Sequence, residues 1–453
     1  MKYDRNKVMI ETVKRLLRRN AGHHLRKIVN KTHAADLARI FYALPLAQQI
    51  KLYGMISDVE QRGILFSELS EIDHSTFLSF IQSLNIDDIV PVLEDMASDD
   101  AADILGMLPE ELSDTLLKKM KKEGSEEVEG LLSYGDDTAG GIMVPDFIAL
   151  REDMTARQAI ESLQKEHVDV EMPFYLYVTD EYGKLTGVCS LRQLVVVSPQ
   201  TPLRDFMSTD VFSVRTNTDQ EDVAKLVARY DILAVPVTDE NNKLLGIVTV
   251  DDVIDILREE ATEDILKMAG AGAGFVETKS IYKSTRIRLP WLFASCLGGL
   301  AATIIIGGFE ESLKKIAALA AFIPVIMGMG GNIGTQSSTI VVRGLSMGVL
   351  NVRDVWAVVF KELSIGLLLG LVYGTLIGFV AHLRYNMFQL GGAVCLAVIC
   401  SMCVAALVGS LFPMIFAKLN IDPAVATGPF VTTAIDIVAV FLYFQIDAAF
   451  LGI

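Results

Sequence analysis

Gly428-Pro429-Phe430-Val431-Thr432-Thr433-Ala434-Ile435-Asp436-Ile437-Val438-Ala439-Val440 reads as most of a membrane-spanning helix with an acid near its middle. The apolar pattern runs from about 425 to 449. That length, at 1.5 Å per residue, crosses ~30 Å of hydrocarbon. A charged side chain at that depth is costly and usually functional. No Lys or Arg lies near Asp436 in the sequence. Gly428, Thr432 and Asp436 follow at four-residue spacing and share one helix face, small, then hydroxylated, then acidic. The plain alternative is a protonated Asp bonded to a neighbouring helix. The acid on a small, hydroxylated face favours a residue lining an ion path.

Working outward, hydropathy stays high from Leu289 onward. Spans are expected at about 286–307, 316–341, 357–381, 390–415 and 425–449. Lys283, Arg286 and Arg288 precede the first span, and Arg343, Arg353 and Lys418 fall on the same side. The excess of positive charge places that side in the cytoplasm, with the N-terminus cytoplasmic and the C-terminus extracytoplasmic. Glu362 sits near the inner end of the third span and is expected to snorkel or to pair with Lys361.

The second span contains Gly328-Met329-Gly330-Gly331-Asn332-Ile333-Gly334-Thr335-Gln336-Ser337-Ser338-Thr339, too polar and glycine-rich to face lipid. Asn332, Thr335, Gln336, Thr339 and Arg343 form one stripe. Small-residue helix packing explains the glycines. It does not explain Asn332, Thr335 and Gln336 together. Carbonyls near Gly328, the Asn332 amide, the Thr432 hydroxyl and the Asp436 carboxylate are oxygen donors suited to a hard cation. Mg²⁺, which sheds its water shell reluctantly, is held through waters and one or two carboxylates. One Asp per chain is too little charge, so a homodimer with paired Asp436 side chains near a two-fold axis is expected. Apart from Cys400 and Cys403, nothing in the spans suits a softer metal.

The 453 residues carry a formal net charge of −16, unevenly spread. Residues 32–280 hold 20 basic and 47 acidic residues, a net charge of −27. So acidic a block excludes nucleic acid and favours bound cations. Cys400-x-x-Cys403 lies in an apolar helix without a second pair, which reads as packing rather than metal or redox chemistry. No apolar signal-peptide core follows the basic N-terminus, which reads as an amphipathic helix, solvated or resting on anionic lipid.

The fold class expected is a multidomain membrane protein: an all-α superhelical N-domain, an α/β tandem CBS pair, a long acidic connecting helix and a five-helix transmembrane domain. Residues 1–137 show helical periodicity and a weak repeat, Ala34-Ala35-Asp36-Leu37 to Leu44-Pro45 and Ala101-Ala102-Asp103-Ile104 to Leu108-Pro109. Residues 138–203 and 204–258 are a duplication. Met143 and Met207 open the copies; strands 176–180 and 235–239 follow, then Gly187 to Ser190 and Gly246 to Thr249. This β-α-β-β-α order, twice in register, resembles a CBS pair. Residues 252–280 read as an acidic connecting helix ending in a glycine-rich joint, and 281–453 as the membrane domain.

The runs Asp99-Asp100-x-x-Asp103, Ala139-Gly140-Gly141-Ile142-Met143, Val248-Thr249-Val250-Asp251-Asp252, Glu260-Ala261-Thr262-Glu263-Asp264, Gly330-Gly331-Asn332 and Asp422-Pro423-Ala424 leading to Asp436 together resemble the MgtE magnesium channels over nearly the whole chain. The resemblance implies a homodimeric, Mg²⁺-selective channel in a bacterial inner membrane, closed by cytosolic Mg²⁺. It assigns the pore ion to Asp436. It assigns regulatory Mg²⁺ to Asp99, Asp103 and the backbone near Gly140. It adds Glu221, Asp231, Asp252 and the backbone of Ala228 in the CBS pair. It also adds Glu260, Glu263 and Asp264 on the connecting helix, and Asp422 before the last span.

Gly428 departs from the Asn that some members carry before the proline, and Gln193 and Ile232 replace residues associated with nucleotide binding. Thr249 and Asp252 are then a half-site for ATP with no first-copy equivalent. A coupled divalent-cation transporter and a membrane-anchored CBS nucleotide sensor are the competing functions. No nucleophile–base constellation, Walker A run or metal-hydrolase spacing points to an enzyme.

Overall fold

The computed structural model describes residues 2–166, 174–271 and 281–452. It forms two compact units, Met1–Arg258 and Glu259–Ile453.

The first unit begins with short helices in pairs: α1 (Lys2–Arg18), α2 (Gly22–Val29), α3 (Ala34–Tyr42), α4 (Leu46–Tyr53), α5 (Val59–Ile72), α6 (His74–Ile81), α7 (Ile86–Leu93), α8 (Ser98–Met107), α9 (Glu110–Lys119) and α10 (Lys122–Leu132). The Leu-Pro repeat marks real breaks. Pro45 precedes α4 and Pro109 precedes α9, each in an extended conformation that ends the helix before it. Asp73 starts α6 by accepting the backbone N–H groups of Ser75 and Thr76 at 3.0 and 3.2 Å. Phe41, Tyr53, Phe66, Phe77 and Phe80 interlock edge to face or stacked in the core. Each such ring contributes roughly 1.5–3 kcal/mol of burial.

Two three-stranded sheets follow. β1 (Ala149–Arg151), α11 (Ala156–Glu166), β2 (Tyr175–Thr179), β3 (Leu185–Ser190) and α12 (Leu191–Val196) form the first copy; β4 (Val214–Arg215), α13 (Gln220–Tyr230), β5 (Ala234–Thr238) and β6 (Leu244–Thr249) form the second. In each, a parallel pair joins an antiparallel pair. The copies are reciprocally tied. Val144 bridges Ile247, and Val188 bridges Ser208. A Cβ at Gly187 would stand 2.6 Å from Met207 Sδ, and one at Gly246 would stand 2.8 Å from Met143 Sδ. The Met and Gly landmarks of each copy therefore meet in the opposite copy. α14 (Val250–Met268) leaves β6 directly. The expected joint beyond it falls mostly at 272–280, outside the described residues.

The second unit holds the end of α14, then α15 (Ile281–Gly308), α16 (Glu310–Lys315), α17 (Ile323–Ser346), α18 (Val355–Tyr385), α19 (Phe388–Lys418) and α20 (Gly428–Leu451). Five of these stretches are long and apolar enough to cross a membrane: Ser284–Gly308, Ala317–Ser346, Val352–Tyr385, Phe388–Lys418 and Gly428–Leu451. α18 and α19 pack most closely, and the reason is a four-residue glycine ladder. Gly366, Gly370, Gly374 and Gly378 are all buried, and a Cβ at Gly370 would stand 3.0 Å from Ile399 Cα. Small residues let membrane helices approach where lipid offers no hydrophobic drive.

Glu362 corrects an expectation. It neither snorkels nor pairs with Lys361; it is 3 % exposed and accepts the Ser337 hydroxyl at 2.8 Å. A buried acid facing the next helix finds its hydrogen bond across that interface, where the apolar surroundings give it no alternative.

Candidate functional site

α17 and α20 bring the expected pore residues side by side. A Cβ at Gly331 would lie 4.0 Å from both Asp436 Oδ1 and Thr432 Cγ2, which places this residue beside the acid, while the close approach of the two helices falls at Gly334, where a Cβ would collide with Ile435. Asp436 is half-buried. The Thr432 hydroxyl donates to Gly428 O at 2.9 Å and the Thr335 hydroxyl to Gly331 O at 2.9 Å, which leaves both oxygens as acceptors only. Gly328, Asn332, Gln336, Thr339 and Arg343 are exposed along one open face of α17. Thr335 is the member of the expected stripe that turns partly inward.

The start of α20 is tightly held. Gly428 has φ +50°, and the Met268 carbonyl packs against it so closely that no Cβ could be added. A Cβ at Gly270 would stand 2.7 Å from Pro429 Cγ. The end of α14 therefore sits on the first residues of the last span, and glycine is required at 428 on both counts. Lys267 Nζ lies 2.5 Å from Glu263 Oε1 and 2.6 Å from Asp422 Oδ2. Burial disfavours the ammonium, but the hydrogen bonds and charges of Asp422 and Glu263 outweigh it and raise its pKa. The Ser346 hydroxyl donates to Asp264 Oδ2 at 2.9 Å. Burial raises the Asp264 pKa against that bond, and the charge of Asp422 adds to the rise. Of the acids expected here, Glu263, Asp264 and Asp422 meet in this way, and Glu260 is half-buried on the same helix.

In the first unit a charge effect links Asp100 to acids at the start of α14. Asp100, on α8, and Asp251 and Asp252, at the start of α14, act on one another. Burial raises Asp252 to about 6, with the Thr249 hydroxyl opposing and the charges of Asp251 and Asp100 adding. Asp100 is raised too, by partial desolvation with Ser67 opposing and Asp251 adding, although the residue stays exposed. Asp99 is buried while Asp103 is exposed. Gly140 is buried, and its N–H donates to Thr216 O at 2.9 Å. Glu221 is paired with Lys225 at 2.9 Å. Asp231 ends α13 with φ 52°, and Ala228 is exposed one turn before it. No group of three or more His, Cys, Asp or Glu side chains close enough to hold a metal is present among the described residues.

The nucleotide half-site has a local explanation. The Thr249 hydroxyl donates to Asp252 Oδ2 at 2.6 Å at the start of α14. Ser190 and Gln193 stand in the same relation at the start of α12, where they form a capping box. The pair thus serves helix initiation in both copies.

Sequence reasoning quoted Asp100 and Asp251 only as members of acidic runs, and gave no role to Lys267 or Asp447. Asp100 and Asp251 adjoin singled-out acids and give no separate signal. Lys267 was legible as the one base in the last turn of an acidic helix. Asp447 was legible as an acid eleven residues beyond Asp436, which returns to the same helix face.

A family model described as "divalent cation transporter" (MgtE) matches residues 323–446. The MgtE intracellular N domain matches 32–137, and CBS domains match 139–200 and 203–259. The magnesium transporter MgtE of Bacillus subtilis is 34 % identical over 438 residues, 96 % of each chain. The chain belongs to the MgtE family. The Thermus thermophilus member is also 34 % identical, over 93 % of this chain and 94 % of its own. Among solved structures, the soluble part of a magnesium transporter superposes with a TM-score of 0.50 at 32 % identity, covering 56 % of this chain and 99 % of that one. The cytosolic domain of the Mg²⁺ channel MgtE in complex with ATP gives a TM-score of 0.51 at 33 % identity, covering 55 % of this chain and 99 % of that one. The MgtE cytosolic architecture, helical N domain followed by a CBS pair, is thus present here, joined to five membrane helices.

Proposed function

We propose that two copies of this chain form a Mg²⁺ channel in a bacterial inner membrane, with Asp436 on the ion path, closed when cytosolic Mg²⁺ binds the acidic domains. The observation that carries this reading is the open face of α17. Asn332, Gln336 and Thr339 are exposed on a helix of membrane-spanning length, beside the half-buried Asp436. Polar groups without partners in hydrocarbon cost several kcal/mol each, so such a face is stable only against protein or water. A second copy across a two-fold axis supplies both. It covers the flanking apolar surface and leaves an aqueous path lined by amides, hydroxyls and two Asp436 carboxylates. That donor set suits a cation that keeps several waters.

The regulatory part rests on like charge. Desolvation raises the pKa of Asp100 and Asp252, and the charge of Asp251 adds to both, so like charge gathers where α14 begins. These carboxylates are the hard oxygen donors Mg²⁺ takes, and neutralising them strengthens the contact of α8 with α14. Further along α14, Glu263, Asp264 and Lys267 lie by the start of α20, with Lys267 paired to Asp422. ATP belongs to the relative in whose structure it is bound; here the Thr249 hydroxyl is engaged by Asp252 at 2.6 Å.

The test is a current or flux measurement in proteoliposomes. A channel gives Mg²⁺ movement that reverses at the Mg²⁺ equilibrium potential, independent of imposed Na⁺ or H⁺ gradients. Movement that needs either gradient would establish a coupled transporter instead.

A further inference from the structure

α20 carries a second acid that the ion path does not use. Asp447 lies eleven residues beyond Asp436, on the same helix face and ~16 Å further from Gly428. Its side chain is 0 % exposed, and among the described residues neither carboxyl oxygen has a hydrogen-bond partner. One turn earlier, and beside it, is Tyr443, also fully buried. The Tyr443 hydroxyl donates to the carbonyl of Leu319 at 2.9 Å. Leu319 belongs to a 3-10 turn, Ala317–Ala321, that leads into α17.

The chemistry of this trio decides the protonation. A phenol has one proton, and here it goes to Leu319 O. Towards Asp447 the phenol oxygen therefore offers only lone pairs. An ionised carboxylate is also acceptor-only, so the two would face each other with no hydrogen between them. A neutral carboxyl has the missing donor. A hydrated ion is no substitute, because both oxygens are fully buried. Mg²⁺, slow to lose its waters, is the least suited of all.

We propose that Asp447 is a proton-holding residue that donates to the Tyr443 hydroxyl, completing a chain from Asp447 through Tyr443 to the Leu319 carbonyl. The chain clamps the end of α20 remote from Gly428 to the turn that feeds α17, and so ties together the two helices that bear the pore residues. No charge competes for it. The helices packed against α20 are α15, α17 and α19. Arg286, Arg288, Arg343 and Lys418 lie at the opposite ends of those helices, by Gly428. Glu310, Glu311, Lys314 and Lys315, on the nearby α16, are exposed, with Lys314 paired to Glu310 at 2.7 Å. Among the described residues, Tyr443 is the titratable group that acts on Asp447. The inference stands whether or not Asp436 carries the ion.

Infrared spectroscopy of the full-length protein in lipid tests it. The difference spectrum between wild type and Asp447→Asn at neutral pH is expected to contain the carbonyl stretch of a neutral carboxyl. That band should move to higher frequency in Tyr443→Phe, which removes the acceptor. A pair of carboxylate stretches in its place, or a band indifferent to Tyr443→Phe, overturns the proposal. Should Asp447→Asn fail to fold, carbon-13-labelled aspartate in wild type and Tyr443→Phe gives the same readout without altering Asp447. Asp447→Asn, whose amide retains a donor, should keep wild-type Mg²⁺ flux; a tenfold loss would place Asp447 on the ion path and overturn the assignment.

Discussion

Lys267 Nζ lies 2.6 Å from Asp422 Oδ2, and this ion pair joins the last turn of the connecting helix to the turn that opens the last span. The same ammonium reaches Glu263 at 2.5 Å, so a single cation separates two acids. Lys267→Met would leave Glu263 and Asp422 opposed. A half-exposed pair of this kind is worth about 1 kcal/mol, roughly a fivefold change in an equilibrium. We expect Mg²⁺ flux at low internal Mg²⁺ to rise by about that factor, with closure at high Mg²⁺ retained. Flux into proteoliposomes at two internal Mg²⁺ concentrations checks it.

Gly428 makes a steric prediction at the same contact. Asn tolerates φ near +50° but has a Cβ, and the Met268 carbonyl occupies that position. Gly428→Asn should therefore push the end of α14 away from α20 without straining the backbone. Raised flux at low Mg²⁺, together with faster proteolysis near residue 270, is the expected result.

A pH dependence follows from Asp252, which burial first, and then Asp251 and Asp100, raise to about 6. The unfolded carboxyl titrates near 4. Between about 4 and 6 the folded state holds the extra proton, so this group's contribution to stability falls as pH rises through that window. The effect is of order 1 kcal/mol after screening. Without Mg²⁺, Asp252→Asn should be stabilised relative to wild type at pH 7.5 and should lose that advantage at pH 5. Thermal melting of both proteins at the two pH values measures it, and Mg²⁺ should narrow the gap at pH 7.5.

The open face of α17 predicts a loss of conduction with the fold intact. Asn332→Leu and Gln336→Leu convert polar lining to apolar surface beside Asp436. Each should cut Mg²⁺ flux by about tenfold, or 1.4 kcal/mol, while leaving melting temperature and oligomeric state unchanged.

The order of elements was legible because each domain has its own period. The 3–4 spacing of the N domain, the two strand-turn-strand copies and the five apolar runs do not resemble one another. Asp436 was legible because charge in an apolar run is conspicuous. Pairing across elements was harder to read. Glu362 had Lys361 beside it in sequence, yet the helix turns Glu362 inward to Ser337 on another span. Asp99 and Asp103 share a helix face, and the charge effect of Asp100 on Asp252, far along the chain, could not be read from spacing. Gly428 looked like a missing amide; the structure shows a backbone approach that only glycine permits.

The central claim is that Asp436 lines the path of the transported ion. The most direct measurement is Mg²⁺ influx into proteoliposomes carrying equal amounts of wild type or Asp436→Ala, with folding of both verified by melting and by size. The account predicts that Asp436→Ala folds and assembles as wild type does but loses nearly all Mg²⁺ influx. Equal influx through the two proteins would contradict it.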